Sequence, residues 1–178
     1  MAITVEIQGK KFTKFIPYYK ILKVVDSIAL RMNKDLRNKR PVFISILNGS
    51  FVFTADLLKK IELECEVSFI KVASYEGARS SGTVSEIIGL TDNIKGRTVV
   101  LLEDIVDSGN TLERVVAELQ KLGPKTIKIA TLFFKPQAYN KKMKIEYIGL
   151  NMPDDFIVGY GLDYNGYGRN LPDIYILK

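Results

Sequence analysis

Apolar residues along the 178-residue chain switch repeatedly between helical spacing and short unbroken runs. Tyr18, Ile21, Leu22, Val25, Ile28, Ala29, Met32 and Leu36 share one helical face. With Pro17 suited to a first turn, they predict a helix over 17–38, after a short N-terminal arm. Pro41 leads into VFISILN, a strand at 42–48, and Gly49-Ser50 turns the chain into a helix reaching residue 61. CEVSFIKVASY reads as a strand at 65–75, and the glycine- and serine-rich segment 76–89 as a loop or flap with a weakly strand-like end. A strand at 98–103 precedes the cleanest helical pattern, Leu112, Val115, Val116, Leu119 and Leu122, which Gly123-Pro124 terminates. Strands follow at 126–134 and 146–150. The remainder, rich in Gly, Pro, Asp and Tyr, has no helical period and predicts short strands and loops.

Apolar strands alternating with amphipathic helices predict an α/β fold, a mainly parallel sheet with helices on both faces. Ligands of such sheets sit at the carboxyl ends of the strands. Leu47-Asn48-Gly49-Ser50, the segment 103–111 and Lys135 all converge on that edge. The length suits one core and one domain, 1–178.

The densest chemistry lies in VVLLEDIVDSGNTL, residues 99–112. A buried strand delivers Glu103 and Asp104 to its carboxyl edge. Asp107 follows, and Ser108-Gly109-Asn110-Thr111 forms a loop over a helix N-terminus. Loop amides and the positive end of the helix dipole make an anion seat. Adjacent acids raise each other's pKa, so burying both is costly without a cation or hydroxyl donors. A phosphate seat beside carboxylates describes a ligand with phosphate, hydroxyls and a divalent metal: an activated sugar phosphate.

Composition narrows the chemistry further. The chain has no histidine, which removes Ser-His-Asp and Cys-His catalysis and His-ligated zinc. Proton transfer must use Asp, Glu, Lys, Tyr or Cys. The single Cys65 excludes an intrachain disulfide and a thiolate zinc cluster, and suits a reducing compartment. A hard cation on carboxylates, such as magnesium, stays open. The net charge of +6, with a pI near 9.3, suits phosphorylated substrates and would also attract nucleic acid, but no dense basic run decides between them. The opening MAITVEIQGKKF lacks an apolar signal core, and no window approaches a membrane span, so a cytoplasmic protein is expected.

On these residues the chain resembles the type I phosphoribosyltransferases, specifically their hypoxanthine-guanine group, over nearly its whole length. Residues 99–112 look like that family's phosphoribosyl-pyrophosphate signature, and Leu47-Asn48-Gly49-Ser50 like its pyrophosphate loop. Ser74-Tyr75 looks like the flap dipeptide, Phe134-Lys135-Pro136 like the purine-oxygen contact, and 156–169 like the purine-binding segment. The resemblance implies a hood formed by the N-terminal arm and about 150–178. It also implies transfer of the 5-phosphoribosyl group to hypoxanthine or guanine with magnesium, in a homodimer or homotetramer.

The implied roles follow residue by residue. Glu103 and Asp104 hold the ribose hydroxyls or the hydrated metal, and Asp163 is a second metal contact or a base-edge contact. Asp107 exchanges a proton with purine N7; its alternative is a helix N-cap, with Ser108 or Asn110 free to cap instead. Ser108, Gly109, Asn110 and Thr111 cradle the 5′-phosphate. Asn48, Gly49, Ser50 and Arg169 bind pyrophosphate, Asn48 standing where many relatives carry a basic residue. Lys135 donates to the 6-oxo oxygen, where the alternative is a solvated surface lysine. Phe156 stacks on the purine and the backbone of Ile157 or Val158 reads its edge, where the alternative is core packing. Tyr75 closes over the reaction.

Rival readings fare worse. A signalling receiver domain needs paired acids after its first strand, but VFISILN ends in Asn48. Lys135 together with Asp107 argues against a pyrimidine-using enzyme. A regulator on the same frame, binding nucleotide and RNA, would leave the purine contacts idle.

Overall fold

The computed structural model describes residues 3–73, 86–90 and 92–177. The chain opens with a hairpin, β1 (Thr4–Ile7) and β2 (Lys10–Ile16), where the sequence pattern left only an arm. Its Gln8-Gly9 turn has both residues at positive φ, 48° and 74°, the two-residue geometry that matches strand twist. Helix α1 (Tyr18–Asp35) follows, capped by Pro17. It ends three residues before the predicted 38, because Asn38 turns left-handed at φ 64°.

Strand β3 (Val42–Leu47) leads into α2 (Phe51–Leu58), shorter than predicted; residues 59–61 continue as turns. Strands β4 (Glu66–Ala73), β5 (Glu86–Ile88) and β6 (Thr98–Val106) come next, then α3 (Asn110–Lys121), β7 (Thr126–Phe134) and β8 (Tyr147–Asn151). The short β9 (Ile157–Val158) and β10 (Ile174–Leu177) finish the chain.

Two sheets result. The larger has the order β5-β4-β3-β6-β7-β8, parallel except for the antiparallel β5. The smaller, β1-β2-β10-β9, joins the two ends of the chain into the hood. Alternation along the central strands sorts their side chains between two cores. Phe43, Val100, Leu102 and Leu132 face α1 and α2, meeting Ile21, Val25, Ile28, Met32, Phe53 and Leu57. Val42, Ile44, Val99, Leu101 and Ile129 face α3, meeting Leu112, Val115, Val116 and Leu119. Helices therefore cover both faces as expected, which is why these strands read as continuous apolar runs. Leu122 departs from the expected face: it is the exposed C-cap residue, and the left-handed Gly123 follows it.

One departure matters for the chemistry. Strand β6 does not stop at Glu103; pairing continues through Ile105↔Phe133 and Val106↔Phe134. Glu103 and Asp104 thus lie within the strand rather than past its edge.

Leu119 is fully buried between α3 and the sheet. Leu119→Ala should cost about 2–5 kcal/mol, read as a lower urea midpoint with an unchanged slope.

Candidate active site

The carboxyl ends of β3, β6 and β7 meet the hood. Backbone bonds hold the loops together there: the Lys135 N–H donates to the Val106 carbonyl at 2.9 Å, and the Met152 N–H to the Phe134 carbonyl at 2.7 Å. The predicted site residues lie among the described residues, except the flap pair Ser74 and Tyr75, which lies outside them.

The loop over the start of α3 forms where the pattern placed it. Ser108, Gly109, Asn110 and Thr111 line one pocket with Glu103, Asp107 and Leu112. The N-cap of α3 is Gly109 at φ 82°, with no side-chain cap. Asp107 is therefore not the cap. Ser108 Oγ only accepts a long 3.4 Å bond from the Asn110 N–H, leaving the first-turn amides of α3 open to an anion. A side chain at 109 would strike the Tyr139 ring and the Lys141 stem, two neighbours the sequence did not single out. Lys141 itself pairs with Glu113 at 2.7 Å.

Glu103 and Asp104 carry the electrostatic tension of the site. Burial, with the neighbouring Asp104 charge, holds the Glu103 carboxyl well above the usual carboxylate range. Its Oε2 is buried and has no hydrogen-bond partner. Burial also pushes Asp104 up to about 6; backbone N–H groups and the Arg169 guanidinium oppose the shift, and Asp163 adds to it. A side chain on Gly49 would collide with the Asp104 carboxylate, and one on Gly161 with the Gly49 carbonyl. The strand acids, the 48–50 loop and the hood are stacked directly on one another.

Arg169 and Asp163 close this stack. Arg169 Nη1 donates to the Gly161 carbonyl at 2.7 Å, and its Nη2 lies 2.6 Å from Asp163. Asp163 also accepts from the Gly166 N–H at 2.6 Å, so both its oxygens are engaged. Glu103, Asp104 and Asp163 do not close into a cage; among the described residues no group of three acids converges on one point. The partnerless Glu103 oxygen and the raised Asp104 still fit a cation that draws its other ligands from substrate and water.

Ser50 departs from its expected role. Its hydroxyl is fully buried, 2.6 Å from Ser45 Oγ and bonded to the Ile46 carbonyl, while Ser45 also reaches Thr54 at 2.7 Å. That hydroxyl cluster anchors the loop from beneath, and Ser50 as a whole is buried. Asn48 is exposed and follows a cis peptide bond.

Lys135 is not a solvated surface lysine. Only 8% of it is exposed, and its Nζ sits 3.3 Å from Asp107 and 3.4 Å from Asp154. Phe156, by contrast, is 46% exposed and so is not core. Its ring is braced edge-on by Tyr164 at 5.7 Å and by buried Phe12 at 6.5 Å, leaving an aromatic surface beside the cleft. Ile157 and Val158 are buried behind it. Asp154, Phe12 and Tyr164 went unpredicted: they reach the site through β2 and the C-terminal loops, and no local spacing marks them.

The family described as "Phosphoribosyl transferase domain" matches residues 18–165. A hypoxanthine-guanine phosphoribosyltransferase of Streptococcus pyogenes is 40% identical over 159 residues, covering 89% of this chain and 88% of that protein. One from Streptococcus pneumoniae is 37% identical over 164 residues, 92% of this chain and 91% of its own. A crystal structure of a hypoxanthine-guanine phosphoribosyltransferase from Bacillus anthracis superposes with a TM-score of 0.82 at 35% identity, over 93% of this chain and 96% of that one. The chain belongs to the phosphoribosyltransferase family, with the type I fold.

Asp104 makes a measurable prediction for the protein without divalent cation. A carboxyl held above its unfolded value favours the protonated fold, so its contribution to stability is full below about 3.8 and is lost as pH rises to about 6. Asp104→Asn should therefore raise stability at pH 7 by about 1–3 kcal/mol, with the gain gone by about pH 4. Thermal melts at the two pH values check this, and a gain of the same size at both would contradict it.

Proposed function

We propose that this chain is a purine-salvage enzyme, a hypoxanthine-guanine phosphoribosyltransferase. It joins phosphoribosyl pyrophosphate to hypoxanthine or guanine, giving IMP or GMP and pyrophosphate. The observation that carries the reading is the nearly buried Lys135 ammonium beside Asp107, one step from the phosphate seat. This pairs a donor suited to a 6-oxo oxygen with an acceptor suited to purine N7.

In this reading the 5′-phosphate rests on the open amides at the start of α3, and Glu103 and Asp104 take the ribose hydroxyls. Asn48, the backbone of Gly49 and Ser50, and Arg169 take the pyrophosphate. The purine lies against Phe156, its edge read by the backbone at Ile157 and Val158. Purine N9 forms its bond to C1′ as the bond from C1′ to the pyrophosphate oxygen breaks, the electron pair leaving with pyrophosphate. The proton on N7 passes to Asp107. Glu103 and Asp104, with Asp163 nearby, are the residues that would hold magnesium; when bound it supplies charge neutralisation for the leaving group. That role fits the partnerless Glu103 oxygen.

The reading includes a homodimer or homotetramer, and exposed apolar residues Val67 and Phe69 on β4 give such an assembly something to bury. It also includes a cytoplasmic location; among the described residues no helix is long and apolar enough to cross a membrane.

A steady-state assay with magnesium and phosphoribosyl pyrophosphate tests the function against hypoxanthine, guanine, xanthine, adenine and uracil. Turnover should be confined to the 6-oxopurines; turnover of adenine or uracil would overturn the roles of Lys135 and Asp107. Tight binding of the sugar phosphate without turnover of any base would favour the regulator reading. Asp107→Asn should lower kcat by roughly 10²-fold without unfolding the protein, and near-normal turnover would remove its role as base.

A further inference from the structure

Lys135 has two carboxylate neighbours, and the proposed reaction uses only one. Its Nζ stands 3.3 Å from Asp107 and 3.4 Å from Asp154. Close charge-assisted bonds measure about 2.7–2.9 Å, so this ammonium is suspended between two acids rather than committed to either. Both acids are more than half exposed, 53% and 66% by side chain, on the open side of a lysine that is otherwise enclosed.

Asp154 reaches this position by the geometry of the sheet edge. Phe134 pairs with Asn151, and the Met152 N–H donates to the Phe134 carbonyl at 2.7 Å. The chain beyond β8 is thereby tied beside Lys135, and Pro153 carries it on to Asp154 and the purine-stacking Phe156.

We infer that Asp154 is a positioning residue: it holds Lys135 for the purine oxygen once the base has drawn Asp107 away. The inference rests on the proposed reading of Lys135 as the 6-oxo donor. A purine that engages Asp107 at N7 competes for the carboxylate facing Lys135, and a proton taken up there removes its charge. A nearly buried ammonium left without a counter-ion is costly. Asp154 faces Lys135 from the chain beyond β8, and the proposed proton transfer does not use it. It is also the only other acid paired with Lys135 among the described residues.

The test separates a role exerted through Lys135 from a general structural one. Calorimetric Kd values are measured for IMP and for purine riboside 5′-monophosphate, which is the same nucleotide without the 6-oxo oxygen. They are compared across wild type, Asp154→Asn, Asp154→Ala and Lys135→Ala. Both Asp154 variants should bind IMP about fivefold more weakly and the oxygen-free nucleotide nearly as wild type does. Lys135→Ala should weaken IMP at least as much, roughly tenfold, with the same indifference to the other nucleotide. In steady state, KM for hypoxanthine should rise in the Asp154 variants while KM for phosphoribosyl pyrophosphate holds.

If the Asp154 variants shift both nucleotides equally, or neither, while Lys135→Ala discriminates between them, the inference fails and the reading of Lys135 stands. If Lys135→Ala does not discriminate, the reading of Lys135 fails and the inference with it.

Discussion

Two carboxylates occupy adjacent positions inside the central strand of a hydrophobic sheet, and the architecture around them follows from that burial. Glu103 and Asp104 lie where β6 is still paired with β7; Asp104 is buried, and Glu103 is part-buried where it lines the pocket at the start of α3. Ligand-free, the site holds this tension through protonation and through the fields of Arg169 and nearby backbone amides. In the proposed reading, ligand hydroxyls and a cation would relieve it at the atoms where the chemistry happens.

The surrounding loops pack tightly against these acids. Gly49 lies against Asp104, Gly161 lies against Gly49, and neither position has room for a Cβ. The hood is held down by a buried strut from the main core: the Tyr160 hydroxyl donates to Asp56 at 2.8 Å, and Asp56 also pairs with Lys59. At its other end, Asp173 accepts from the Tyr18 N–H at 2.8 Å and pairs with Lys14. Strut and tie join the hood to α2 and α1.

Much of the fold was legible because it is written in local periods. The helical face of α1, the apolar runs of β3, β6 and β7, and the Gly123-Pro124 stop each need only neighbouring residues to be read. The loop proposed to seat the phosphate was legible for the same reason, since a strand, an acid pair and a small-residue loop are contiguous. The hairpin β1–β2 was missed although Gln8-Gly9 between alternating residues was a usable signal. The burial of the Ser50 hydroxyl was not readable: Ser45 and Thr54 decide it, and both face Ser50 only once β3 and α2 are packed.

The sequence by itself determined the order of the helices and of the parallel strands, the chemical types present at the sheet edge and, through the missing histidines, which catalytic strategies were closed. Only the tertiary structure decided which acid is paired with which base. Lys135 lies 28 residues from Asp107 and 19 from Asp154, yet it bridges both, because the parallel sheet brings the carboxyl ends of β6, β7 and β8 to one edge. The depth of Glu103 and Asp104 was likewise tertiary. A carboxylate's pKa depends on how much water and which charges surround it, and those are supplied by strands, loops and a hood distant in sequence.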